Sequence, residues 1–269
     1  MPYLKLEAFS GISPRTGPTN LQANQAQIAS NVKLQSGELR PWRKSVLSYA
    51  CGLSDTHTIY KLENITLGTS AWLEWATDVD VVTSPVADTS DYRIYYTDGV
   101  APQKTNWALA TTSGTGVKPF PDTSYNLGVP SPVTAPTLTK VGGSGTVHED
   151  RAYIYTYVST FGSVLEESAP SPATLISSVE PNASVTVNGF STAPTTAAGY
   201  NITAIRIYRT VTGATTSTYF YVGQVTVNPA TGVASGSFSD AVLTANLGAA
   251  LVSLYYTPPP AKLQGLVSM

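Results

Sequence analysis

The clearest pattern in the chain is the alternation of side chains between Arg151 and Ser159, whose sequence is RAYIYTYVS. Successive side chains of a β-strand point to opposite faces, so this stretch places three tyrosines on one face and isoleucine, threonine and valine on the other. Phe161 and Gly162 then supply a turn, and two prolines follow. The pattern predicts a strand, a turn and an extended edge segment, with three rings in or at the rim of a core between two sheets: Tyr153, Tyr155 and Tyr157.

Short alternating segments continue through the second half of the chain. Seven strands in little more than a hundred residues are typical of an immunoglobulin-like or fibronectin type III sandwich, and a chain with one cysteine favours the fibronectin-like form. The predicted strands are Thr137–Val141, Arg151–Ser159, Ala173–Val179, Ser184–Val187, Thr203–Arg209, Tyr219–Val225 and Gly236–Asp240.

The first half of the chain predicts further short strands, separated by glycine, aspartate and proline turn signals. Their starts lie roughly ten residues apart, a spacing that favours an all-β meander or a propeller-like sheet. The clearest are Thr58–Leu62, Ala71–Trp75, Val79–Thr83 and Arg93–Thr97.

Proline-rich stretches and one helical pattern set the predicted domain organisation. Residues 20–32 are rich in alanine and glutamine, with apolar residues near helical spacing, and predict a short helix. Prolines cluster at 130–136 and again at 258–260. The sequence therefore predicts an all-β protein with one short N-terminal helix: a β-rich platform domain over 1–131, a sandwich over 132–246, and a proline-rich linker over 247–269.

Composition and charge narrow the classes of function. Charged residues make up 12% of the 269 residues, about half of the usual share, and such a surface favours contact with other subunits because few ions need desolvation. The net charge of −2 disfavours a protein that grips nucleic acid through its phosphates. We also expect no secretion signal and no transmembrane helix, since no long apolar run occurs.

The residues that could carry catalysis are few. Two histidines, His57 and His148, fall in predicted loops, and Cys51 is interpreted as a small buried side chain. Asp78 and Asp80 alternate onto one strand face, where turn formation is favoured over a paired-carboxylate or calcium site. Glu166 and its neighbour Glu167 are expected to face solvent. We therefore predict a protein that is not an enzyme and that has no cofactor or metal ion.

One basic and aromatic cluster is a candidate interface. The sequence ELRPWRKS brings together arginine and tryptophan, the residue types that dominate binding hot spots. A small nucleic-acid patch and a solvated strand end are the alternative interpretations. The residues of the cluster are Arg40, Trp42, Arg43 and Lys44.

Several short motifs resemble the tail nozzle (tail tubular) and neck proteins of short-tailed double-stranded DNA bacteriophages. The N-terminal residues FSGISPRTG and GELRPW resemble the entry motif and first strand of that family, and the motifs DVDVVTSPVADTSDYRIYYTDG, YNLGVPSP, YVSTFGSVLEESAPSP and IRIYRTVTG resemble its later segments. The N-terminal positions that match are Phe9, Gly11, Pro14, Arg15, Ala29, Asn31, Gly37, Leu39 and Pro41.

The resemblance implies a non-enzymatic virion protein that forms a ring, usually six-fold, below the portal and adaptor, and extends the channel for genome retention and ejection. It implies contacts with further copies of the chain, with the portal or adaptor and with other tail proteins, and it adds Arg15 to the candidate interface. Double-stranded DNA would pass through without specific binding, no membrane would be involved, and assembly into the tail or neck would occur in the host cytoplasm.

Three alternatives remain open at this stage, and the third is a hydrolase, which a buried, paired carboxylate site would favour. Within the structural proteins, the chain is also interpretable as a capsid decoration or tail accessory protein. From a different class, a carbohydrate-binding adhesin is compatible with a fibronectin-like sandwich that carries exposed aromatic residues and acidic loops. Clustered aromatic side chains around a groove would favour the adhesin.

Overall fold

The chain divides into two compact units, Met1–Ala50 and Cys51–Met269. The structure is a computed structural model that describes residues 9–33, 40–42, 44–85, 91–114, 119–211 and 218–267. We call the two units the N-terminal unit and the main unit, and describe each by itself.

The N-terminal unit consists of short paired strands and turns. Gly11 and Ile12 pair in parallel with Gln25 and Ala26, and a second pair is antiparallel. Among the described residues of this unit, Phe9 is the one buried hydrophobic side chain. The elements are β1 (Gly11–Ile12), a 3-10 turn at Pro18–Asn20, β2 (Gln25–Ala26), β3 (Val32–Lys33) and β4 (Arg40–Pro41).

The helix predicted over residues 20–32 is wrong. The segment turns, pairs briefly as β2 and turns again, and Ile28 is largely exposed. Polar side chains bond to neighbouring loops instead: Gln27 Nε2 donates to the Thr16 carbonyl at 2.6 Å, and Asn24 Nδ2 donates to Ser10 Oγ at 2.5 Å. A short segment with no apolar face to bury and with competing side-chain bonds has no means to stabilise a helix.

The first part of the main unit, which we call the platform, contains a two-stranded hairpin and a four-stranded antiparallel sheet in the order β10-β9-β8-β7. Its core includes Leu73, Ile94 and Phe120, all nearly inaccessible to solvent. The elements are β5 (Thr58–Asn64), β6 (Thr69–Trp75), β7 (Asp80–Thr83), β8 (Ile94–Thr97), β9 (Pro102–Thr105), α1 (Trp107–Ala110) and β10 (Tyr125–Asn126).

The second part of the main unit is a two-layer β-sandwich. One layer has three strands in the order β11-β15-β19; the other has the order β13-β12-β16-β17-β18, and β14 also pairs with β12. The strands are β11 (Thr137–Val141), β12 (Glu149–Phe161), β13 (Val164–Glu167), β14 (Thr174–Val179), β15 (Ser184–Asn188), β16 (Ile202–Thr210), β17 (Tyr219–Asn228), β18 (Val233–Ala234) and β19 (Phe238–Asp240). The predicted fold class, all-β with a two-sheet sandwich, is confirmed.

Strand β12 is the central element of the sandwich, and the predicted alternation of its side chains is confirmed. Its tyrosines point into the core between the sheets, where they meet Ile205 and Ile207 of β16 and Val185 and Val187 of β15. The opposite face, with Ile154, Thr156 and Val158, is buried as well, and β12 has paired strands along both edges: β16 on one, β13 and β14 on the other. Burial on both faces makes this strand the main determinant of the sandwich.

One end of the sandwich core contains a buried charge pair. Arg209 Nε lies 3.0 Å from Asp240 Oδ2, and both side chains are inaccessible to solvent. The Tyr153 hydroxyl donates to the same oxygen at 2.7 Å, and Arg209 Nη2 donates to the Val242 carbonyl at 2.7 Å. Burial raises the pKa of Tyr153, with Asp240 adding to the effect, and burial lowers the pKa of Arg209. These groups tie β12, β16 and β19 together and are structural.

The last residues of the described chain form an extended segment, which we call the C-terminal strap (residues 247–267). Its start pairs with β17, where Leu251 N donates to the Tyr219 carbonyl at 2.8 Å. Ser253 Oγ then donates to the Ser168 carbonyl at 2.7 Å. Farther along, Lys262 N donates to the Val100 carbonyl at 3.1 Å, beside the platform sheet. The strap therefore runs from the sandwich to the platform.

The predicted boundary between residues 131 and 132 stays a prediction. Platform and sandwich have separate clusters of buried hydrophobic residues, and both belong to the main unit. The unit division falls at Ala50 and Cys51 instead. Within the described ranges, no helix has the length and apolar character to cross a membrane.

We expect Tyr155→Ala to lower the free energy of unfolding by about 3 kcal/mol, because it removes a fully buried ring from the sandwich core. Chemical denaturation followed by circular dichroism measures the change. Leu175→Ala, an exposed position on the neighbouring strand β14, is the matched control and should change stability by less than about 0.5 kcal/mol. Equal effects of the two substitutions would contradict the assignment of the tyrosine face to the core.

Candidate functional site

Trp42 lies at the surface of the N-terminal unit, as its candidate role requires. Its side chain is 59% exposed, and Lys33 Nζ lies 4.8 Å from the centroid of the ring. The backbone N–H of Trp42 donates to the Asn31 carbonyl at 2.8 Å. A cation over an indole face is favourable and holds the ring in place. Sequence reasoning missed Lys33, although its place on β3 opposite Arg40 brings it to this cluster.

The other predicted interface residues are only partly located. Arg15 lies in the exposed turn after β1, and Lys44 is exposed in the extended stretch after β4. The backbone of Arg40 pairs with Lys33, whereas the side chain of Arg40 and all of Arg43 lie outside the described residues. The structure thus joins Trp42 with Lys33, and the interface itself stays a prediction.

The turn between β12 and β13 inserts into the platform. Phe161, at the end of β12, is buried with two cations near its ring: Arg93 Cζ lies 5.2 Å and Lys104 Nζ 5.1 Å from the ring centroid. Gly162 follows with a φ of +57°, and a Cβ there would lie 2.6 Å from Asp91 Oδ2. Only glycine fits both the conformation and the close approach. We call this contact the Phe161 junction.

Buried charges surround the Phe161 junction. Lys104, 1% exposed, forms an ion pair with Glu166 of β13. Asp91 pairs with Arg93 at 3.0 Å and accepts a hydrogen bond from Asn106. Burial lowers the pKa of Lys104, and the contact with Glu166 opposes that shift.

The expectation that Glu166 and Glu167 face solvent is therefore wrong. Both side chains are partly buried on the outer face of the sandwich: Glu166, 27% accessible, pairs with the buried lysine of the platform, and Glu167, 14% accessible, pairs with Arg206. Glu167 Oε1 accepts from the Thr156 hydroxyl at 2.5 Å and the Tyr208 hydroxyl at 2.6 Å, while Oε2 accepts from Arg206 Nη1 at 2.9 Å. The sequence does not show that these residues are partners, because Arg206 lies far along the chain on β16, two strands away from β13 in the sheet.

A groove lies between the C-terminal strap and the outer face of the sandwich. It has a volume of about 690 Å³, and its walls come from β13, β16, the strap and the connection before the sandwich. We call it the strap groove. Its main lining residues are Leu165, Glu166, Glu167, Arg206, Tyr255 and Tyr256.

Two of the candidate catalytic residues come close together at the surface: His57 Nδ1 lies 3.9 Å from Asp78 Oδ1, and both side chains are exposed. His57 and His148 are exposed, and Cys51 is exposed rather than buried as expected, because it lies in a loop before the first strand of the platform. His148 Nδ1 lies 3.6 Å from Glu180, whose carboxylate also accepts from Lys140. Over the described ranges, no group of three or more histidine, cysteine, aspartate or glutamate residues is arranged to hold a metal ion.

Large apolar side chains are exposed in every part of the molecule. They occur in the N-terminal unit, on the platform, on the sandwich and along the strap. The most exposed, each at least 69% accessible, are Ile28, Val46, Leu47, Ile65, Val100, Val133, Val252, Tyr255 and Val267.

Neither a scan against models of protein families nor a search of curated proteins finds a match to this chain.

If the surface around Trp42 contacts a neighbouring subunit, Trp42→Ala should weaken that association by roughly 2 kcal/mol, because exposed tryptophan becomes a hot spot when a partner covers it. The melting temperature of the free chain should change little, since the ring is already mostly accessible. Sedimentation and thermal unfolding measure the two effects. Ile28→Ala, at a more exposed apolar position of the same unit, is the control. A lower melting temperature with normal association would contradict the interface.

Proposed function

We propose that this protein is a structural subunit of a virion, a ring-forming component of the tail nozzle or neck of a short-tailed bacteriophage. The observation that carries the proposal is the wide distribution of exposed apolar side chains on a chain with only 12% charged residues. A contact between subunits buries such a surface with little desolvation of ions. The resemblance of the short motifs to nozzle and neck proteins supplies the specific role.

The internal charges support a structural role. The buried pairs Arg209–Asp240 and Lys104–Glu166 each join separate elements of the fold. Each pair holds its elements in one relative arrangement, because separating the partners would leave a buried charge without compensation. A subunit of an assembly that transmits force during genome ejection needs that kind of fixed geometry.

The proposed ring is closed and cyclic, with the same surface pair repeated at each contact. Its partners are further copies of the chain, the portal or adaptor above and other tail proteins. A net charge of −2 suits a conduit for DNA, since a strongly basic lining would hold phosphates by releasing counterions. The ring belongs to the tail or neck of the particle, assembled in the host cytoplasm.

The rival structural role, a capsid decoration or tail accessory protein, differs in copy number. A ring contributes about six copies to each particle, whereas a decoration protein repeats over the capsid lattice. Quantitative mass spectrometry of purified particles separates the two.

We expect the purified chain to form a discrete large species in analytical ultracentrifugation, alone or with the portal or adaptor, and a closed ring in electron micrographs. Heterologous contacts that close give one defined size. Raising the salt concentration should leave the ring intact, because its contacts are mainly apolar rather than ionic. A chain that stays monomeric at all concentrations and binds no virion component would contradict the proposal.

A further inference from the structure

The strap groove has the size and the mixed lining of a ligand site. Its volume of about 690 Å³ lies inside the range of small-molecule pockets, which combine apolar walls with a few placed polar groups. The apolar part comes from Leu127, Val129, Leu165, Val252 and Pro259. The polar part comes from two carboxylates and one guanidinium.

Two tyrosine rings stand at the groove with little cover. Tyr255 is 88% and Tyr256 56% exposed, although both belong to the lining. A tyrosine ring offers a flat apolar face and a polar hydroxyl, so it binds ligands that have both kinds of surface. The two adjacent rings thus offer stacking faces next to hydrogen-bonding groups.

The backbone of the strap is held in place before and after these two tyrosines. Before them, Ser253 is buried and bonds to the Ser168 carbonyl, and Tyr256 N donates to the Ser253 carbonyl at 3.0 Å. After them, Pro258 and its two following prolines fix the backbone, because the proline ring restricts φ. Binding therefore orders little additional backbone, and the entropy that a ligand must overcome comes mainly from the two tyrosine side chains.

The charges of the strap groove balance. Glu166 and Glu167 carry two negative charges. Arg206 carries one positive charge, and Lys104, which forms an ion pair with Glu166, carries the other. This balance disfavours phosphates, nucleic acids and strongly acidic peptides. Hydrogen-bonding capacity nevertheless remains: Glu166 uses Oε2 for Lys104 and keeps Oε1 as an acceptor, and Arg206 has more N–H groups than the one that bonds Glu167.

We propose that the strap groove binds a neutral oligosaccharide. Sugar rings have apolar C–H faces that stack on tyrosine, and each hydroxyl both donates and accepts, which matches a carboxylate beside a guanidinium. Tyr255 and Tyr256 supply the stacking faces, and Glu166 and Arg206 supply the hydrogen bonds. This inference goes beyond the proposed ring and does not rest on it.

Saturation-transfer NMR and calorimetry on the full chain test the site with three neutral probes: maltohexaose, cellohexaose and fully N-acetylated chitohexaose. We expect one of them to bind with a dissociation constant of about 1 mM or tighter, so that about 10 mM ligand fills most sites. Tyr255→Ala should weaken binding by about five- to tenfold, while Tyr255→Phe, which keeps the ring, should stay within about twofold of the wild type. Leu175→Ala, exposed on β14 outside the groove, is the control and should leave affinity unchanged.

Absence of binding of all three probes at about 10 mM would overturn the proposal, as would binding that Tyr255→Ala leaves intact. A second copy of the chain is the competing occupant. If no probe binds and Tyr255→Ala instead weakens self-association, the groove is a contact between subunits and the oligosaccharide proposal is wrong. Failure of ring assembly with intact sugar binding would reject only the proposed function.

Discussion

The contact of Phe161 with Arg93 and Lys104 is the interaction on which the arrangement of the main unit depends. Strand β12 runs through the sandwich core and ends with this ring beside two cations of the platform, so one continuous strand contacts both parts of the main unit. The face of the Phe161 ring attracts both cations, and the attraction is stronger because burial removes much of the water around them. Glu166 and Asp91 supply the compensating negative charges, and Gly162 allows the close approach.

The C-terminal strap reinforces the same arrangement from outside. It pairs with β17 at its start, bonds to Ser168 beyond β13, and reaches the platform at Val100 and Asp80. Gly128, in the connection between platform and sandwich, packs against the prolines of the strap so closely that a Cβ would lie 2.9 Å from Pro258 Cα. A segment predicted as a linker is therefore a structural tie, and its exposed rings are a consequence of its path over the sheet.

Alternation of side chains predicted much of the fold because it depends on local geometry. All seven strands proposed for the sandwich and all four proposed for the platform occur, and β13 matches the extended edge segment predicted after Gly162. In the main unit, β9, β10 and β18 were missed because they are short or polar. Long-range partners were not predictable: Lys104 lies in the polar stretch PQKT, and nothing local shows that it meets Glu166. The helix over 20–32 failed since composition alone favoured it and no apolar face supported it.

Of the two candidate sites, the sequence indicated the surface at Trp42 and did not indicate the strap groove. Tryptophan beside basic residues indicated an exposed surface at Trp42, and that ring is exposed. The strap groove was not predictable, because its two halves, around residue 166 and residue 255, are separated by most of the sandwich sequence. Sites assembled from distant segments need the path of the chain, which only the three-dimensional structure supplies.

We infer that the Phe161 junction makes the platform and the sandwich one cooperative unit. Tryptophan fluorescence in a Trp42→Phe background reports the platform alone, since the remaining tryptophans, Trp72, Trp75 and Trp107, all lie there. Hydrogen exchange of β16 and β17 amides reports the sandwich. We expect both probes to give one common unfolding midpoint in the wild type, and a shift or separation of the midpoints in Phe161→Ala. Two distinct midpoints in the wild type, unchanged by Phe161→Ala, would contradict it.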